Sequence, residues 1–224
     1  FEAYVLERLE HGNGQASWLD GLEFHAAVRT CEVLGAVAEH GPHVRISSLD
    51  GEAMRRASEA GYRIAYGGEE AIRGLLSDLQ KPFEDSRKEW GPKALFGRLY
   101  EWLAHESDEP AFEPLRELIF RHVVETMPVG PGDELFGRRV ERRRLHSIHS
   151  ASKEYQLHPK RLRRLLKAAG YLEEKDVTAS DERTLFDSES TAPFLRKLSE
   201  SMSLTQAGGY LNAPRPIPRL LMDH

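Results

Sequence analysis

The segment from Gly137 to Leu172 constrains the fold most, because its apolar residues follow the spacing of two short helices. The first helix is indicated by apolar positions three or four residues apart: Leu145, Ile148, Ala151 or Ser152, and Tyr155. Pro159 can begin the second helix, since a proline at the first helical position sacrifices no hydrogen bond. The inner face of that helix is marked by Leu162, Leu165, Leu166 and Ala169. Gly170 suits its C-terminal end, so two amphipathic helices joined by a tight turn are predicted.

The outer face of the second predicted helix is strongly basic. Five cations lie opposite the leucines or beside that face: Lys160, Arg161, Arg163, Arg164 and Lys167. From Arg138 to Lys167, eleven lysines and arginines accompany only two acids, an excess of nine positive charges in a chain of net charge −5. A basic helix presented by a helix-turn-helix is one way in which proteins enter the DNA major groove. The segment therefore predicts nucleic-acid contact.

Ten side chains are candidates for that contact. Lys160, Arg164 and Lys167 are expected to face the groove or the phosphates. The others are expected to flank the helix or to meet the DNA backbone at its approach: Arg161, Arg163, His158, Arg138, Arg142, Arg143 and Arg144. Two alternatives stay open at this point. The basic helix could contact acidic protein surface, or its charged face could simply be solvated.

Length and composition limit the class of protein. A chain of 224 residues with 40% hydrophobic and 30% charged residues predicts one or two domains with a real core. It shows no long apolar run and no signal peptide, so we expect no membrane span and a cytoplasmic location. The single cysteine, Cys31, excludes a disulfide framework and is expected to be buried. The chain begins without methionine and stops in a helical pattern, so we expect a piece of a longer protein.

Helical spacing recurs along the rest of the chain, and strand signals are almost absent. The predicted fold class is therefore all-α, a helical bundle region followed by one or more helix-turn-helix domains. Further helices are predicted at residues 1–10, 22–38, 51–60, 71–79, 93–105, 113–125 and 194–202. Asp50 is predicted to cap the third of these and Gly61 to stop it. The alternating stretch Tyr62 to Tyr66 also fits an extended conformation.

Three regions follow from this pattern. Residues 1–127 are predicted to form an N-terminal helical region, 128–172 the basic helix-turn-helix domain, and 173–224 a connector with a partial second helix-turn-helix. In the last region, Ser203 and Gln206 have capping-box spacing. The apolar residues expected to face its core are Leu204, Ala207, Tyr210, Leu211, Ile217, Leu220 and Leu221.

Taken in order, several motifs resemble those of the TniQ family of transposition proteins, whose relatives include TnsD-type target selectors. The resemblance covers most of the chain and rests on four stretches: FEAYVLERL with Trp18-Leu19-Asp20, AGYRIAYGGEEAIRGLLSDL from Ala60 to Leu79, LFGRLYEWL from Leu95 to Leu103, and Leu135-Phe136-Gly137. Within the predicted helix-turn-helix, residues that match the family pattern are Ala151, Pro159, Leu162, Leu165 and Leu166. The closing LTQAGGYL is similar to the family's second helix-turn-helix.

The resemblance implies target-site selection in transposition. Such proteins bind double-stranded DNA at the insertion site or associate with an RNA-guided CRISPR complex, and recruit an AAA+ ATPase and a transposase. They are not themselves the recombinase. Many members carry zinc-binding Cys/His clusters, but this chain has one cysteine and no Cys-x-x-Cys, so no zinc site carries over.

Catalysis and cofactor binding find little support in the residues. Gly130 to Gly137 lacks the Gly-Lys-Ser/Thr ending of a phosphate-binding loop, and no Gly-x-Ser-x-Gly motif occurs. The histidine pairs His146/His149 and His40/His43 are three residues apart, yet no further ligand stands out. We therefore expect no enzyme activity, no metal and no cofactor. His146 and His149 are expected to face phosphates or solvent, and His122 to fill a core position.

Tryptophan side chains can also serve as stacking platforms for bases. Trp18, Trp90 and Trp102 are not interleaved with the basic run, so core packing is the better interpretation.

Two other functions compete with target selection. A pure adaptor would dock the basic helix on acidic protein or on guide RNA, and would link that complex to the transposition machinery. A transcriptional repressor would require a palindromic operator and a tight dimer. The sequence shows no coiled-coil seam for such a dimer, although a homodimer of another kind stays open.

Overall fold

The computed structural model describes residues 1–14, 17–81, 91–106, 109–173, 179–201 and 204–212. Of these residues 68% are helical and 5% lie in strands, so the expectation of a mostly helical protein is confirmed. The chain divides into two compact units, Phe1–Arg143 and Arg144–His224. Within the described residues, no helix is both long and apolar enough to cross a membrane.

Unit 1 is a cluster of helices around one apolar core. Its described α-helices are α1 (Glu2–His11), α2 (Phe24–His40), α3 (Gly51–Tyr66), α4 (Gly68–Gln80), α5 (Pro92–Glu101) and α6 (Glu113–Thr126). Short 3₁₀ turns lie at Trp18–Gly21, Ile46–Ser48 and Pro110–Phe112, and a π-helical turn at Trp102–Glu106. The α2 helix is the central one, with nine of its seventeen residues buried. Its main helical neighbours are α3 and α5, and α4 packs against α3, α5 and α6.

Two glycines allow α2 and α3 to meet backbone to backbone. A Cβ atom on Gly35 would lie 1.7 Å from the carbonyl oxygen of Ala57, and one on Gly61 would lie 1.8 Å from that of Cys31. No side chain fits at such separations, so only glycine permits this approach. Cys31 is fully buried beside the contact, as expected, and burial raises the pKa of its thiol to about 12.

The same contact corrects the sequence interpretation of α3. The sequence predicts that Gly61 stops the helix, and Tyr62–Tyr66 also fits an extended conformation, yet α3 continues through both to Tyr66. The packing of Gly61 against α2 outweighs the weak helical propensity of glycine. The predicted start is confirmed, because the Asp50 side chain accepts a hydrogen bond of 2.8 Å from the backbone N–H of Ala53.

A β-hairpin closes unit 1 and shifts the boundary between the two parts of the chain. Strands β1 (Glu134–Leu135) and β2 (Arg138–Arg139) pair antiparallel across a two-residue turn. Leu135 and Val140 are buried in the core of the first unit. The division therefore falls after Arg143 rather than at residue 127, because the hairpin buries its apolar side chains among the helices that precede it.

Unit 2 is a smaller fold around its own core. Its described elements are β3 (Leu145–Ser147), α7 (Ile148–Glu154), α8 (Pro159–Ala168), β4 (Leu185–Asp187), α9 (Ser188–Glu200) and α10 (Leu204–Tyr210). Strands β3 and β4 pair antiparallel, with His146 opposite Phe186. The buried core consists of Ile148, Ala151, Leu162, Leu166, Leu172, Phe186 and Leu195. Residues from both sides of the expected connector therefore share one core.

Several local expectations for unit 2 were wrong. Leu145 begins a strand and not a helix, because it pairs with Asp187 in the sheet. The helix expected at 194–202 begins at Ser188, where the Asp187 side chain accepts a hydrogen bond of 2.7 Å from the backbone N–H of Ser190. Tyr210 and Leu211 were expected to face a core but are 81% and 51% exposed. Ser203 and the segment 213–224, which carry the rest of the second expected motif, lie outside the described residues, as does Trp90.

The close approach of α2 and α3 predicts a large cost for any side chain at Gly35. We expect Gly35→Ala to lower the free energy of unfolding of unit 1 by about 3 kcal/mol, because the helices must separate. Gly74→Ala is the matched control, since Gly74 is exposed within α4 and a Cβ there meets no atom within 4 Å. That control should gain about 0.5–1 kcal/mol. Urea unfolding followed by circular dichroism measures both, and equal stability of the two variants would contradict the backbone contact.

Candidate nucleic-acid interface

The α8 helix is held in place by leucines on one face. Leu162 and Leu166 are fully buried in the core of unit 2, and Leu165 is half-buried. The helix ends at Ala168, and Gly170, predicted as its C-cap, follows the C-cap residue Ala169 with a φ of 78° that permits the terminal hydrogen bonds. The Tyr171 N–H donates to the Leu166 carbonyl at 3.0 Å, and the Gly170 N–H donates to that of Lys167 at 3.1 Å. Ala169, expected inside, is exposed because it follows the last turn.

The opposite face of α8 presents four cations to solvent. The exposed side chains are Lys160, Arg161, Arg164 and Lys167. Within the described part of the chain, none of the four takes part in an ion pair. At about 100° per residue, Arg164 lies diametrically opposite the buried leucines and the other three lie within a quarter turn of it. Exposed Ala168 falls among them, so the four charges surround a small side chain.

Arg163 differs from its neighbours although it was predicted as part of the same basic set. Its guanidinium donates to the Ala179 carbonyl at 2.9 Å and to the Asp181 carboxylate at 2.7 Å. The side chain is only 19% exposed. Arg163 therefore ties α8 to the segment before β4, and this geometry does not direct it toward a ligand.

The arginines that precede α7 are divided between the two units. Arg138 forms ion pairs with Glu113 and Glu117 on α6, and its guanidinium lies 5.8 Å from the centroid of the Phe120 ring. Arg143 donates to the carbonyl oxygen of Pro128. Both side chains therefore serve contacts within unit 1, where they were expected to approach DNA.

Arg142 and Arg144 have exposed side chains but fall in different units. The Arg144 carbonyl accepts a hydrogen bond of 2.9 Å from Ser188, next to β4. Of the ten candidates, the structure thus brings four cations together on α8, with His158 exposed at the position before the helix.

Two of the histidines considered as candidates for a site, His146 and His122, are buried. His146 is fully buried between the rings of Tyr155 and Phe186, with centroids 5.8 Å from each, so it does not face phosphates. His122 fills a core position as expected, and burial lowers the pKa of its imidazole. Among the described residues, no group of three or more His, Cys, Asp or Glu side chains could hold a metal ion.

Residues 179–187, predicted to be part of a connector, support the candidate surface. The Ile148 N–H donates to the Thr184 carbonyl at 3.2 Å, and the His149 N–H donates to the Asp181 carbonyl at 3.0 Å. These bonds hold the start of α7, while Arg163 holds α8 to the same segment. The apolar pair Leu185-Phe186 followed by the cap residue Asp187 was the signal that could have located it.

Comparison with family models, with curated proteins and with solved structures finds no match to this chain.

Substitutions of the two adjacent arginines of α8 are expected to differ in their effect on stability. Arg163→Met should destabilise unit 2 by about 1–2 kcal/mol, since it leaves the Asp181 carboxylate and the Ala179 carbonyl without their donor. Arg164→Met, which removes the same charge from an exposed position, should change stability by less than about 0.5 kcal/mol. Native-state hydrogen exchange of the α8 amides in the full chain measures both. Equal effects would show that Arg163 has no structural role.

Proposed function

We propose that this chain binds double-stranded DNA through the exposed face of α8 and acts in target-site selection for transposition. In this proposal α7 and α8 are a helix-turn-helix, with α8 as its recognition helix. The observation that carries the proposal is the cluster of four exposed cations on α8, which have no acidic partner among the described residues. Arrays of this kind bind phosphates by releasing condensed counterions.

The position of these charges argues against a merely solvated face. Lys160 and Arg161 occupy the first turn of α8, where the helix dipole disfavours cations, and no acidic residue lies in that turn. Helix stability alone would therefore favour other residues at both positions. A polyanion brought to this end of the helix turns the unfavourable arrangement into a favourable one.

The chemistry of the face also favours one base. Lysine and arginine only donate hydrogen bonds, and the exposed face of α8 carries no acceptor side chain. Guanine presents two adjacent acceptors, N7 and O6, in the major groove, whereas adenine and cytosine present an amino donor there. We infer that α8 prefers sites containing guanine.

The resemblance to the TniQ family is the reason for proposing target selection and not only DNA binding in general. It adds recruitment of an AAA+ ATPase and a transposase at the bound site and a cytoplasmic location, with no catalytic role for this chain. An adaptor that joins a CRISPR complex to the same machinery would keep the recruitment without reading DNA directly.

Fluorescence anisotropy with duplex DNA across a salt series tests the proposed contact. We expect tight binding that weakens steeply with salt. Changing Lys160, Arg164 and Lys167 together to alanine should make the negative slope of log K against log salt shallower by about 3, since each lost phosphate contact removes about 0.9 from its magnitude.

The matched control removes the same charge from a helix of unit 1. Arg55, Arg56 and Arg63 are exposed on α3 in unit 1, so their triple alanine variant has the same net charge as the α8 variant. It should bind DNA with nearly the original slope. Absent binding, or equal losses in both variants, would reject α8 as the DNA contact and favour the adaptor.

Modified bases test the guanine preference. Within the best duplex selected from a random pool, replacing guanine by 7-deazaguanine removes N7 and should weaken binding tenfold or more, as expected for a bidentate contact. Replacing it by inosine removes only the minor-groove amino group and should change little. If 7-deazaguanine has no effect while binding stays salt-sensitive, α8 contacts DNA but does not read guanine.

A further inference from the structure

A second candidate binding site lies in unit 1, independent of the proposed DNA contact. A cavity of about 620 Å³ opens where the segment after α2 passes α5, a volume within the range of small-ligand sites. Three arginines contribute to its lining, Arg29, Arg45 and Arg98. Among the apolar side chains that line it are Val44, Ile46 and Met54.

A strained glycine shapes one wall of this cavity. Gly97 adopts φ 45° and ψ −115° inside α5, a conformation that side chains rarely tolerate. A Cβ atom there would lie 2.1 Å from the carbonyl oxygen of Pro42. The next backbone N–H, of Arg98, donates to the same oxygen at 2.6 Å. The α5 backbone is therefore pinned to the segment that carries Val44 and Arg45.

Two of the arginines are held in position by ion pairs with glutamates. The Arg98 guanidinium forms a two-pronged ion pair with Glu106, which lowers the pKa of that carboxyl group. Arg29 pairs with Glu32 at 2.8 Å, and its guanidinium lies 5.9 Å from the centroid of the Trp102 ring. A guanidinium has five N–H donors, so each arginine keeps donors for a ligand after pairing. Holding them in place reduces the entropy lost when a ligand binds.

The charges around the cavity leave a single positive excess. The cations are Arg29, Arg45, Arg98 and Lys93, the last of which lies 3.5 Å from Glu101. The carboxylates are Glu32, Glu101 and Glu106. Arg45 is exposed and forms no ion pair within the described residues. This excess is unusual in a unit whose sequence carries eight more acids than bases.

These features define the chemistry of a ligand. One excess positive charge matches a monoanion, and a guanidinium matches the two oxygens of a carboxylate. The apolar side chains of Val44, Ile46 and Met54 favour a hydrocarbon group beside that anion. We propose that this cavity binds a carboxylate that adjoins an apolar group. A small aliphatic acid carries this chemistry, and so does the C-terminal residue of a peptide that ends in leucine.

Methyl NMR of the full chain with ¹³C-labelled methionine tests the proposal. The probe is N-acetyl-leucine, which reproduces a peptide's C-terminal leucine, and the matched uncharged compound is N-acetyl-leucine amide. We expect a saturable shift of the Met54 methyl signal with the acid, and at least about tenfold weaker binding of the amide, as for a lost charge-assisted hydrogen bond. Equal binding of acid and amide, or no shift with the acid at millimolar concentration, would overturn the proposal.

Two variants test whether the acid binds in this cavity, and one further ligand tests its source. Arg45→Gln should weaken N-acetyl-leucine about tenfold, whereas Arg55→Gln, an exposed arginine next to Met54 in sequence but outside the lining, should not. Equal effects of the two variants would overturn the assignment to this cavity.

An acetylated pentapeptide ending in leucine distinguishes the two sources of such a carboxylate, a small acid and a protein terminus. Tighter binding than N-acetyl-leucine identifies a protein terminus as the ligand, and equal binding identifies a small acid. None of these results depends on whether α8 binds DNA.

Discussion

The backbone contact between α2 and α3 at Gly35 and Gly61 is the constraint on which unit 1 depends. It sets the two helices so close that small residues must line the interface. The end of α2 then leads into the segment whose Pro42 carbonyl accepts a hydrogen bond from the Arg98 N–H, an approach that Gly97 permits. The cavity beside α5 therefore follows from two places where only glycine fits, both remote from the basic helix in sequence.

Unit 2 depends on a different constraint. Helices as short as α7 and α8 are marginal by themselves, so their stability must come from tertiary packing. The β3–β4 pairing and the bonds to residues 179–184 supply part of it, and Arg163 supplies a further tie. With these contacts made inside the unit, the remaining cations of α8 point outward. On the same helix, Arg163 therefore makes structural contacts while the neighbouring Arg164 is exposed to solvent.

Which candidate side chains are exposed could be predicted where the signal is local, and could not where it depends on partners distant in sequence. Lys160, Arg164 and Lys167 lie on the exposed face because helical periodicity places them opposite the leucines. Arg138 and Arg143 belong to the same basic run of sequence. In the folded unit, however, Arg138 pairs with two carboxylates of α6, and Arg143 donates to the Pro128 carbonyl. Sequence spacing cannot show such partners, because acids and carbonyls distant along the chain become neighbours only on folding.

The sequence alone determined the helical class, the positions of most helices, the Asp50 cap, the buried thiol of Cys31 and the basic face of α8. Each depends on residues within a few turns of one another, where side-chain period and backbone preference act. Tertiary structure alone decided that α3 continues through Gly61, that the hairpin joins unit 1, and that Phe186 completes the core of unit 2. Those outcomes depend on contacts across tens of residues, and there packing energy outweighs local propensity.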